Sequence, residues 1–190
     1  MDILLNAVIF VLTLILVALF FKKNGEWHLS NGTRAFRFFT VQSNILCAAA
    51  ALLMCMAPSL PWVWTLKYTG TVSVTVTMLT VFLFLGPTLG YKKMFTGTEL
   101  YMHLVTPLLA IVSFFCFEKR PMSFVTALSG LLPVALYSVL YLYKVIYAPE
   151  DRRWDDFYGF NRGGKWPISL MAMLAGSFAL CMTFMLLKNS

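Results

Sequence analysis

Six mostly apolar stretches, set apart by turn and charge signals, run the length of the chain. A helix needs about 20 apolar residues to cross a bilayer core. The stretches near residues 3–21, 35–57, 63–86, 98–117, 123–146 and 167–187 meet that length. Between them stand Lys22-Lys23-Asn24-Gly25, Pro58-Ser59-Leu60-Pro61, Gly86-Pro87, Glu118-Lys119-Arg120-Pro121 and a long segment from Pro149 to Pro167. In the third stretch Thr71, Ser73, Thr75 and Thr77 alternate with other residues, a period of two that suggests a strand in a soluble protein. An isolated strand cannot satisfy its backbone in lipid, so helix is predicted, with the hydroxyls bonding to the preceding turn.

Composition agrees with this pattern. Of 190 residues, 59% are hydrophobic and 12% charged, about half the charge of a soluble domain. The longest polar run, 147–166, is too short for a core of its own. The predicted class is all-α: a polytopic membrane protein with six transmembrane helices in one bundle, a single domain over 1–190. Met1-Asp2-Ile3 lacks the basic region of a cleaved leader, so the first stretch is expected to be retained. Lysine and arginine divide eleven to four between the faces, with Lys67, Lys119, Arg120 and Lys188 on the poorer one. That excess predicts a cytoplasmic basic face in a bacterial plasma membrane, both termini outside. Trp27, Trp154 and Trp166 mark one interface, Trp62 and Trp64 the other. Ala172, Ala175, Gly176 and Ala179 suit close helix packing in the last stretch. Cys47, Cys55, Cys116 and Cys181 read as buried thiols without disulfide or zinc spacing.

Two polar elements interrupt this pattern. Arg37-Phe38-Phe39-Thr40-Val41-Gln42-Ser43-Asn44 opens the second stretch, and His103 lies in the fourth. Such groups are costly in hydrocarbon and are kept for a reason. Thr40 and His103 each come about five residues in from the basic face, hence about 8 Å deep by the helical rise. Matched depth allows them to meet if their helices are neighbours. Arg37, Thr40 and Asn44, at i, i+3 and i+7, would share one helix face. Glu99 precedes His103 by a turn and would orient its ring. Pro107 removes the backbone bond to the His103 carbonyl and predicts a kink.

A hydroxyl beside an imidazole is the minimum for nucleophilic acyl transfer. Asn44 or Arg37 would then serve as oxyanion or substrate donor, with Gln42 and Ser43 nearby. The same residues also read as interhelical hydrogen bonds, with Arg37 reaching lipid phosphate. Tyr137, Tyr141 and Lys144 form an interfacial stripe, and the loop 151–165 is either interfacial or a lid. No metal site, cofactor motif or nucleic-acid signature is expected.

Phe38-Phe39-Thr40-Val41-Gln42-Ser43-Asn44, with His103-Leu104-Val105-Thr106-Pro107, resembles bacterial six-span relatives of the androgen-induced membrane protein family of animals. The resemblance extends over nearly the whole chain in span count and order. It implies an intramembrane hydrolase of fatty acid esters of hydroxy fatty acids, with Thr40 as nucleophile and His103 as its histidine. The expected function is therefore hydrolysis or transfer of lipid-like acyl esters. Membrane lipid or a similar ester would be the partner, and homo-oligomers are left open. The rivals are a small-solute transporter or channel subunit, and a non-catalytic membrane partner protein.

Overall fold

The computed structural model describes residues 2–190. Six helices are long and apolar enough to cross a membrane: Asp2–Phe20, Phe39–Met56, Pro61–Leu89, Thr98–Phe117, Phe124–Tyr147 and Trp166–Asn189. We call them the first to sixth spans. The chain is an all-α polytopic membrane protein. Its one sheet is a two-residue hairpin, Lys22–Lys23 against Glu26–Trp27, closed by Asn24 and Gly25 at positive φ.

The chain forms two compact units, one ending at Pro121 and one comprising Met122–Ser190. In the first unit the four spans pack in a closed ring: first on second, second on third, third on fourth, fourth on first. Its centre is Ile9, Cys47, Ala51, Val74 and Ala110, one or two buried residues from each span. Without a hydrophobic driving force between helices in lipid, close approach has to supply the attraction. Gly70 provides it between the second and third spans. A Cβ there would lie 2.8 Å from the Cys47 Cα.

The second span begins later than its apolar pattern suggests. Leu29–Ala35 is a separate short helix, residues 36–38 turn, and the span starts at Phe39 because Phe38 is extended (φ −88°, ψ 135°). Arg37 therefore lies in a turn, off the helical face it was expected to share with Thr40 and Asn44. The predicted alternation in the third span is helical. Thr71, Ser73, Thr75 and Thr77 are all buried, and each hydroxyl donates to the carbonyl four residues back.

Four other expectations change with packing. Lys67, counted with an exposed face, has a wholly buried side chain inside the third span. Trp64 is no interfacial anchor. It is buried with its ring 5.7 Å from that of Phe114. The small residues of the sixth span, Ala172, Ala175, Gly176 and Ala179, are exposed, and a Cβ on Gly176 would touch nothing within 4 Å. Cys47 and Cys181 are buried, Cys55 is half-buried and Cys116 is exposed; all four are free thiols.

In the second unit, Phe124–Tyr147 and Trp166–Asn189 pack together, joined at one end by Asn189, which donates to and accepts from the Met122 backbone. Tyr137 and Tyr141 are buried within the protein. The Tyr141 hydroxyl donates to Asp156 at 2.8 Å, and Asp156 also accepts the N–H groups of Phe160 and Asn161. Around Tyr141 stand Trp154, Phe157, Tyr158 and Phe160. One carboxylate thus organises the loop that follows the fifth span.

Candidate functional site

The Thr40 Oγ1 lies 3.3 Å from His103 Nε2. Each residue owes its place to a helix end or a helix irregularity. Thr40 is the second residue of its span, in the first turn. The Val41 and Gln42 N–H groups bond to the Phe38 carbonyl. The Thr40 N–H has no carbonyl one turn back to bond, and no partner for it is found among the described residues. His103 is the central residue of a π-helical turn, Tyr101–Val105, just before Pro107. Such turns frequently occur at functional sites. His103 is 4% exposed, while Thr40 is half-buried.

The other ring nitrogen decides the proton arrangement. His103 Nδ1 is 2.9 Å from the Met94 carbonyl. A carbonyl only accepts, so Nδ1 carries the hydrogen. When the ring is neutral, its lone pair is therefore at Nε2, toward the Thr40 hydroxyl. That is the arrangement a general base requires. Met94 ends the short helix Tyr91–Met94, so its carbonyl has no helical partner and is free to accept. Gly97, at φ +61°, then starts the helix carrying His103, a conformation for which glycine is suited.

Glu99 is one turn from His103, as expected, but it faces Nε2 rather than Nδ1, with its carboxylate 3.3 Å away. The tautomer is therefore held by Met94, and Glu99 stands where a proton on Nε2 would be stabilised. Asn44 is wholly buried and donates Nδ2 to two carbonyls, Thr40 at 2.8 Å and Met102 at 3.2 Å. With both amide hydrogens engaged, it has none for an oxyanion, the role expected of it. Ser43 bonds to the Thr40 carbonyl and meets Thr77 Oγ1 of the third span at 2.9 Å. Gln42 donates to the Phe36 carbonyl, bracing the turn before the span. Arg37 has its guanidinium 5.1 Å from the Phe38 ring centre. Of the expected site residues, Thr40, His103 and Glu99 converge on Nε2; Asn44, Ser43 and Gln42 are engaged in holding backbone.

Sequence reasoning missed Met94, because a carbonyl partner nine residues upstream leaves no mark in residue type. It also missed the Thr40 N–H, because the apolar pattern starts the span near residue 35, about a turn before the helix begins at Phe39. Among the described residues, no three His, Cys, Asp or Glu side chains form a metal-binding group. No family model, no curated protein and no solved structure matches the chain.

Proposed function

We propose that this protein is an intramembrane hydrolase, or acyltransferase, of lipid-like acyl esters, as its resemblance to the relatives of the androgen-induced family suggests. The observation carrying this reading is the Thr40 hydroxyl against His103 Nε2, with Nδ1 committed to Met94. His103 Nε2 takes the hydroxyl proton as Thr40 Oγ1 bonds to the ester carbonyl carbon. The imidazolium so formed keeps one N–H on Met94 and turns the other toward Glu99. The carbonyl oxygen, now negative, is stabilised by the Thr40 N–H at the positive end of its helix. As the carbonyl re-forms, the alkoxide leaves with the Nε2 proton. Water or another alcohol then attacks acyl-Thr40, giving its proton to Nε2, which returns it to Thr40 as the acyl group departs.

The transporter reading loses support from the third span, whose hydroxyls are tied to their own backbone rather than arranged to pass a solute or proton. We also propose that the Lys/Arg-rich face is cytoplasmic in a bacterial plasma membrane, which puts Thr40 near the inner leaflet.

A fluorophosphonate probe tests the chemistry. Thr40 is expected to be labelled in wild type and in Thr40→Ser, and lost in Thr40→Ala. His103→Ala is expected to slow labelling by about a hundredfold or more, the usual worth of a general base. Labelling that survives Thr40→Ala refutes the threonine nucleophile. If cysteines at positions 155 and 92 react from outside intact cells with an impermeant reagent, the orientation is inverted.

A further inference from the structure

Three spans contain a π-helical turn of five residues: Val81–Leu85, Tyr101–Val105 and Tyr143–Tyr147. Each is followed by one residue and then a proline, as Gly86-Pro87, Thr106-Pro107 and Ala148-Pro149. In each, the residue before the proline donates its N–H five positions back, Gly86 to Val81, Thr106 to Tyr101 and Ala148 to Tyr143. The next donor in that register would be the proline, aimed at the second carbonyl of the turn. Proline has no N–H to give.

Another donor stands at that carbonyl in all three cases. The Tyr91 hydroxyl donates to the Phe82 carbonyl at 2.9 Å. Asn44 Nδ2 donates to the Met102 carbonyl at 3.2 Å. The Trp154 N–H donates to the Lys144 carbonyl at 2.9 Å. Three chemically different donors meet one need, which is to satisfy a carbonyl bared by proline where water is scarce. Only the middle turn has a reacting group at its centre. Its substitute donor, Asn44, gives its other amide hydrogen to the carbonyl of Thr40 itself.

One buried carboxamide therefore joins the backbone of Thr40 to the backbone one residue before His103. We propose that Asn44 is a positioning residue: standing in for the N–H absent from Pro107, it sets the separation of the Thr40 hydroxyl and His103 Nε2. This inference rests on the hydrolase reading above. Its consequence is compensation. A backbone N–H restored at residue 107 can occupy the Met102 carbonyl and relieve the loss of Asn44.

The test is a double-mutant cycle with Asn44→Leu and Pro107→Ala. The readout is fluorophosphonate labelling of Thr40, resolved into maximal rate and half-saturating probe concentration. A misplacement of about 1 Å costs roughly a hundredfold, so Asn44→Leu is expected to lower the maximal rate by about that factor while half-saturation holds. The double variant is expected to recover about tenfold of the loss. If Asn44→Leu does not fold, Asn44→Asp, equal in shape but without an N–H, takes its place. Labelling by the Asn44 variant at the wild-type rate overturns the inference. So does a loss that Pro107→Ala leaves unrelieved. If wild type shows no Thr40-dependent labelling, the hydrolase reading fails instead. Thermal unfolding of the same variants in detergent then decides the brace: Pro107→Ala must soften the shift caused by Asn44→Leu, and strictly additive shifts refute it.

Discussion

Lys67 offers a sharp energetic test of the first unit. Its side chain is wholly buried within the third span. Its Nζ donates to Asn6 Oδ1 of the first span at 2.5 Å, and Asn6 Nδ2 donates to Asp2 at 3.0 Å. Replacing Asn6 by Leu keeps the branching of the side chain and removes the acceptor of a buried ammonium. A hydrogen bond to a charged group is worth about 1.5–3 kcal/mol. Asn6 is neutral and the ammonium is fully buried, so the upper end of that range applies, about 3 kcal/mol. Lys67→Met alone leaves a neutral amide oxygen bare, about 1–2 kcal/mol. Asn6→Leu/Lys67→Met removes both partners for an apolar contact and should return to within about 1 kcal/mol of wild type. Equilibrium unfolding of the four proteins in mixed micelles measures the coupling directly. Additive losses would show that Lys67 does not depend on Asn6, and this account of the buried cation would be wrong.

Gly70→Ala places a methyl carbon 2.8 Å from the Cys47 Cα, whereas carbons rest about 3.5–4.0 Å apart. The second and third spans must separate by about 1 Å, costing about 1–3 kcal/mol in thermal unfolding; unchanged stability would refute the close contact. Asp156→Ala removes the acceptor for Tyr141, Phe160 and Asn161. Hydrogen bonds to a charged group contribute about 1.5–3 kcal/mol each, so amide exchange at residues 160 and 161 should rise at least about tenfold. Exchange at the wild-type rate would mean that the aromatic cluster alone holds the loop.

The six spans were legible in the sequence because the requirement is local: an apolar run of sufficient length satisfies its own backbone as a helix wherever it lies in the membrane. The matched depth of Thr40 and His103 was legible for the same reason, since depth follows from counting along a helix. Their contact was not, because the second and fourth spans stand opposite one another in the ring and approach at the turn Tyr101–Val105, a closeness set by Ile9, Cys47, Val74 and Ala110 packing across the ring. Arg37 was misplaced by an extended residue at 38 that no periodicity signals.

Pro107 announced a disturbed helix, but only the folded chain shows a five-residue register that moves the bared carbonyl from His103 to Met102 and a distant Asn44 that fills it. Likewise Lys67 reads as a charge and turns out to be interior. Residue type states what a side chain can donate or accept. Which partner it meets is decided by the packing of residues far apart in the chain.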